Sequence, residues 1–208
     1  TARTDVPMAL QGGQVRRIRI GGDCWIGAGA LAELGFARAS MRELAAHCGI
    51  SLGVLHYYFD DKDDLVMCCV QQYKSHFVDR YSAIVIHGES GAELKTRISG
   101  ALSTSLQDSA TMHRLWYDLR TQALFDERFA VSINEIDDSL ASLTWKAVTA
   151  FSRLTDAEVI VTPAVVYATA DGPFHRALRN LITGDTNAPH WLAQEIEAAL
   201  DDFVGPPR

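Results

Sequence analysis

The stretch from Ser40 to Phe59, SMRELAAHCGISLGVLHYYF, constrains the fold of this chain more than any other, because it spells two short helices joined by a tight turn. Ser40 followed three residues later by Glu43 makes a capping box: the serine oxygen accepts from the Glu43 amide and the glutamate reaches back to the serine amide. A helix therefore starts at Met41. Leu44, Ala45 and Cys48 share one face of it, and the small Ala45 lets a second helix cross closely. Gly49 supplies the positive φ of the turn, Ile50 fills the angle between the helices, and Ser51 caps the next one. Leu55 and Tyr58 point inward on that second helix. Leu52, Gly53, Val54, His56 and Tyr57 are left on its outer side, on a helix short enough to lie across a major groove.

The flanks extend the pattern. A helix upstream ends at Leu34-Gly35-Phe36, and Phe59-Asp60-Asp61-Lys62-Asp63-Asp64-Leu65 places an aspartate cap and a lysine at the opening of a further helix. From about Arg16 to Val70 the chain resembles the TetR family of transcriptional regulators. The residues that carry the resemblance are Gly35-Phe36, Ser40-Met41-Arg42, Leu44-Ala45, Gly49-Ile50-Ser51, Gly53, Leu55, Tyr58-Phe59, Lys62 and Leu65. They follow one order at one spacing, which makes the match specific. His56 departs from it, since the family usually has tyrosine there, and histidine reaches less far toward a phosphate. The upstream helix departs too: Gly21, Gly22, Gly27 and Gly29 each cost up to about 1 kcal/mol against alanine.

Charge is distributed to suit such a head. Residues 1–62 hold seven Lys/Arg against six Asp/Glu, whereas the remainder holds twelve against twenty. Arg16, Arg17 and Arg19 are placed to reach phosphates, and the acidic remainder argues against a second nucleic-acid surface. In the head, Arg42 can reach a guanine edge or a phosphate, Val54 a thymine methyl, and His56 and Tyr57 either phosphates or bases. Lys62, with the free amides of its helix, is placed to hold a phosphate, provided that some of the four neighbouring aspartates cap the helix and point away from DNA.

Beyond the head the periodicity remains helical. Helices are expected at Lys62 to about Val85, Ala92 to Gln107, Met112 to Phe125, Arg128 to Leu154, Pro163 to Ile182 and Ala188 to Val204, with no strand pattern anywhere. The fold class is all-α: a three-helix helix-turn-helix head over residues 14–62 on a larger helical body over residues 63–208. Gly172-Pro173 is expected to bend its helix. Val165, Val166, Ala168 and Ala170 precede that step, and Leu192, Ile196, Ala199, Leu200 and Phe203 form an apolar stripe. The resemblance makes these last two helices a homodimer interface, so that two heads meet a palindromic operator.

The resemblance also implies a small-molecule pocket in the body, whose occupant changes the distance between the heads. Trp116, Tyr117, Phe125, Trp145 and Tyr167 are the aromatic side chains placed near it, with His113 and Arg120 as polar contacts. An inward Arg120 needs a carboxylate, from Asp118 or Glu127, or an anionic ligand. Aromatic side chains without a cation among them would instead suit a quaternary amine.

Other classes find less in the sequence. His113, Tyr117 and Arg120 lie along one side of a helix and could serve as acid, base and anion clamp. Yet there is no Gly-x-Ser-x-Gly elbow, no His-Glu-x-x-His pair and no phosphate-cradling glycine loop after a strand. Catalysis, a metal and a cofactor are therefore not expected, and a constitutive DNA-binding regulator without effector is the nearer alternative. Cys24, Cys48, Cys68 and Cys69 form no C-x-x-C pair and read as reduced thiols, with Cys68-Cys69 the one place for a redox switch. No leader-like or membrane-spanning stretch is evident, which points to the cytoplasm. The expected function is a dimeric, sequence-specific transcriptional regulator, a repressor released from its operator by an effector.

Overall fold

The computed structural model describes residues 40–47 and 49–207, apart from the Pro207 side chain. The expectations for the upstream glycine-rich helix, for Arg16, Arg17 and Arg19, and for Cys24 and Cys48 lie outside the described residues. The chain divides into two compact units, residues 1–73 and 74–208.

The first unit contains α1 (Met41–His47), α2 (Leu52–Tyr58) and the opening of α3 (Lys62–Ile86). Both arms of the capping box at α1 are present. The Ser40 amide donates to Glu43 Oε2 at 2.9 Å and the Glu43 amide to Ser40 Oγ at 3.3 Å. Gly49 makes the turn at φ +66°, a conformation that side chains with a Cβ adopt only under strain. Ser51 then caps α2 by accepting from the Val54 amide at 3.2 Å. Leu44, Ala45 and Leu55 are buried, and Tyr58 is partly so, its ring edge-on to Tyr57 at 5.0 Å.

The second unit comprises the rest of α3 from Lys74 onward, α4 (Gly91–Asp108), α5 (Ala110–Gln122), α6 (Glu127–Thr155), α7 (Pro163–Ile182) and α8 (Ala188–Asp202). Ser90, Asp126 and Thr162 cap α4, α6 and α7 through their side chains. α8 lies chiefly against α4 and α7, and α7 against α6. Leu106, Phe151, Val166, Leu178, Leu192 and Leu200 belong to one continuous core. Polar pairs tie its edges: Lys95 to Asp201 at 2.8 Å and Ser99 Oγ to Glu197 at 2.6 Å.

Two expectations change. A small antiparallel sheet joins β1 (Ala157–Val159) to β2 (Val204–Pro207), with Ala157 opposite Pro207 and Val159 opposite Val204. Its strands are too short to alternate, and Gly205, Pro206 and Pro207 look like turn residues in sequence. α7 has the bounds expected of it, with Pro173 inside the helix. The stripe of Leu192, Ile196, Ala199, Leu200 and Phe203 is buried in the chain's own core and is not an outward face. Amphipathic spacing identifies a face that must be covered, without saying whether the same chain covers it.

Candidate functional sites: an exposed helix-turn-helix face and an aromatic cavity

In the first unit, the side chains expected to meet DNA sit on the outside of the helix pair. Arg42 on α1 is exposed, as are Ser40, Ser51, Gly53 and His56, and Tyr57 exposes 69% of its surface. Leu52 and Val54 are half-buried at the start of α2. Hydrogen bonds from the Ser40 side chain and backbone hold the Glu43 carboxylate below its usual range, so the box stays ionised at neutral pH. Lys62 opens α3 and is partly buried. Asp61 turns its carboxylate inward along the helix start, accepting from the Asp64 amide at 2.9 Å. One of the four aspartates around Lys62 therefore acts as a cap.

The second unit contains a partly open cavity of about 110 Å³, lined from α3, α4, α5, α6 and α7. Its wall is mostly apolar. Lys74 lies in that wall and is 5% exposed, with Nζ 4.7 Å from the centre of the Trp116 ring and 5.3 Å from that of Phe77. Burial among these groups pushes its pKa down to about 7, the charge of Asp171 opposing the shift. His113 also lines the cavity; its Nε2 is 2.9 Å from Ser105 Oγ, and Phe174 meets its ring edge-on at 4.7 Å. Burial, followed by the Lys74 charge, drives the His113 pKa well below its ordinary value, so the imidazole is neutral.

One side of the cavity is backed by a polar network. Tyr117 donates to Asp171 at 2.9 Å and Arg120 Nη1 to the other oxygen of the same carboxylate at 2.9 Å. Arg120 Nε lies 3.4 Å from Asp137, to which Tyr167 also donates. Burial, reinforced by these carboxylates, raises both phenols well above their ordinary pKa, so they act only as donors at neutral pH.

These positions revise several expectations. His113, Trp116, Tyr117 and Tyr167 do line the cavity. Phe125 does not: it lies outside, 85% exposed, and Trp145 packs against the core instead. Arg120 stands behind the wall, and its partners are Asp171 and Asp137 rather than Asp118 or Glu127. Asp118 is two residues away on the same helix, so it projects from a different side. Because two carboxylates already meet Arg120, it does not call for an anionic ligand. A quaternary amine is not favoured either, since an ammonium group, that of Lys74, already stands over the aromatic rings. Nor do His113, Tyr117 and Arg120 converge as a catalytic trio: the histidine bonds to Ser105, whereas the other two bond to Asp171.

Lys74, Asp137 and Asp171 are the site residues that sequence reasoning missed. For Lys74 a signal existed: it shares helical spacing with Phe77, Tyr81 and Val85, a charge on an otherwise apolar stripe. Among the described residues, no group of His, Cys, Asp and Glu is arranged to hold a metal ion, and no helix is long and apolar enough to cross a membrane. Cys68 is half-buried and Cys69 buried.

Comparison with known proteins agrees with this arrangement. Residues 28–67 match the family described as bacterial regulatory proteins, tetR family. No curated protein matches the chain. Among solved structures, a TetR transcription regulator from Haloarcula marismortui is similar at a TM-score of 0.74 and 19% identity, covering 89% of this chain and 98% of that one. FadR from Bacillus subtilis, solved with stearoyl-CoA, is similar at 0.68 and 14%, covering 89% and 98%. The ketosteroid transcriptional regulator KstR2 of Mycobacterium tuberculosis gives 0.67 and 18%, covering 93% and 98%.

Proposed function

We propose that the chain is a DNA-binding transcriptional regulator of the tetR family, whose model matches residues 28–67, and that it acts as a homodimeric repressor, released from a palindromic operator when a small molecule enters the cavity. The observation that carries the reading is the exposed outer side of the helix pair. Arg42, His56 and Tyr57 stand free of the core there, beside Lys62 at the opening of α3. Arg42 reads a base edge or clamps a phosphate, Tyr57 and His56 contact the backbone or bases, and Lys62 holds a phosphate. The first turn of α2, with Ser51, Leu52, Gly53 and Val54, enters the major groove.

The effector site is the aromatic cavity. FadR from Bacillus subtilis was solved with stearoyl-CoA, and KstR2 is named for ketosteroids; both molecules have a large apolar part, which supports an effector that places an apolar body in the cavity. An occupant of the cavity presses on Lys74, Phe77 and Tyr81, which belong to the same helix that begins at Lys62.

The test is binding of the purified protein to fluorescent fragments of its own promoter region across a salt series, with unrelated DNA as control. The wild-type protein should bind selectively, with affinity falling as salt rises. Lys62→Ala should weaken binding to all sequences and reduce the salt slope by about one. Arg42→Ala should cost about 1–3 kcal/mol if the fork reads a base, with relaxed preference at one operator position. Unchanged binding by both variants would mean that the DNA surface lies elsewhere.

A further inference from the structure

Lys74 is placed as an amine inside a ligand-sized space. It is 5% exposed, and its Nζ stands among residues of the cavity wall, 4.7 Å from the centre of the Trp116 ring and 5.3 Å from that of Phe77. Burial dominates its proton affinity, followed by charges from three neighbouring helices: Asp171 on α7, Arg120 on α5 and Asp137 on α6. His113, also on α5, is neutral. With its pKa brought to about 7, roughly half of Lys74 is a neutral amine at neutral pH, against fewer than about one in a thousand for a lysine in water. Desolvation in an apolar pocket is a recognised way of turning a lysine into a nucleophile. The wall's hydroxyl groups do not compete in that role. Tyr117 and Tyr167 keep their phenolic protons and donate them to Asp171 and Asp137, and Thr144 donates to the Ala141 carbonyl at 2.9 Å.

We propose that the cavity captures an apolar aldehyde by reversible imine formation with Lys74 Nζ. The proposal rests on the reading of this cavity as an effector site and names its ligand class. The neutral amine attacks the carbonyl carbon, forming a C–N bond as the carbonyl π bond breaks. The two amine protons pass to the carbonyl oxygen, which leaves as water while the C=N bond forms. No oxidant or reductant takes part, and water reverses the step. Reversal suits a regulator that must let its effector go, whereas an ester or thioester would leave the lysine acylated. An aldehyde offers the least crowded carbonyl carbon to an amine held among packed rings, and the mostly apolar wall takes its hydrocarbon body.

The test treats the full chain with octanal and sodium cyanoborohydride, which delivers hydride to the imine carbon while solvent protonates the nitrogen, leaving a stable octyl amine. Peptide mapping by mass spectrometry then ranks the chain's four lysines, with Lys62, Lys95 and Lys146 as internal standards and the α-amino group mapped separately. At pH 7 Lys74 should be labelled at least about tenfold faster than any of the three, a roughly thousandfold advantage in neutral fraction being reduced by slower access. Its rate should level off above about pH 8, while theirs keep climbing. In Lys74→Met, the extra thermal stabilisation by octanal over 1-octanol should vanish. Labelling of Lys74 no faster than of the other lysines would overturn the proposal, and the wild-type protein decides this even if the variant does not fold. Octanal that stabilises the protein against heat without labelling Lys74 would refute the capture and leave the effector site standing; octanal that does neither would refute both. Labelling of Lys74 without release of the promoter fragment would uphold the capture and refute the release mechanism.

Discussion

Lys74 carries a charge into the buried wall of a mostly apolar cavity, and the cost of doing so makes the stability of the second unit depend on pH. The unfolded chain keeps this lysine proton up to about 10.5, while the folded chain gives it up near pH 7. Between those values the unfolded state binds more protons, so stability rises with pH, by at most about 1.4 kcal/mol per unit. The contribution is greatest above the unfolded pKa and is lost as pH falls through 7. Urea unfolding at pH 6.5 and pH 9, for wild type and Lys74→Met, isolates this one group. The wild type should gain about 2–3 kcal/mol relative to the variant between the two conditions. A difference that stays flat would mean that Lys74 does not titrate in this window. At this scale the sequence was only partly legible. The resemblance implied a pocket, and of the residues placed near it His113, Trp116, Tyr117 and Tyr167 line the cavity. The sequence could not pair Arg120 with Asp171, whose contact spans 51 residues of chain, since periodicity orients a side chain without naming what stands opposite.

Helix ends are written in local chemistry, which is why the elements follow the sequence closely. Ser40 with Glu43, Ser51, Ser90, Asp126 and Thr162 all cap the helices that follow them, and Pro163 occupies the first turn of α7, where a missing amide costs nothing. The two-stranded sheet was invisible because its partners are far apart in sequence and its residues carry no period. Close packing between elements is likewise hidden. Gly91, the first residue of α4, abuts the end of α6, and a Cβ there would run into the Thr155 methyl and press on the Phe151 ring. Thr155 has little room to yield, because its hydroxyl donates to the Phe151 carbonyl at 2.9 Å. Gly91→Ala should therefore destabilise the second unit by about 1–3 kcal/mol, despite the better helix propensity of alanine. Thermal unfolding would check it; an unchanged or raised midpoint would show that α4 and α6 can separate slightly without loss.

Assembly of the whole molecule depends on which surface α7 and α8 leave uncovered. The stripe through Ile196 and Leu200 is spent on the chain's own core, so Ile196→Asp with Leu200→Asp would disrupt the fold and report nothing about a dimer. The outward side of α7 has a different character. Val165 and Ile182 expose 46% and 48% of their surface at its two ends, and Ala168 and Gly172 lie between them at helical spacing. A Cβ on Gly172 would meet nothing within 4 Å, so a second helix can approach closely there. Arg176 and Arg179 on α7 are exposed, as is Glu195 on α8, an arrangement in which a two-fold related copy can set a basic residue against an acidic one. We expect a dimer through this side, and Ala168→Glu with Gly172→Glu tests it without touching the core. Both sites are exposed in the single chain, and glutamate is a better helix former than glycine, so the folded monomer should survive. The two-fold axis would bring four like charges together at the centre of the interface, where each is stripped of water. Light scattering should then show a monomer, and operator affinity should fall steeply because the heads no longer bind as a pair. A double variant that stays dimeric with operator binding intact would move the interface away from α7 altogether.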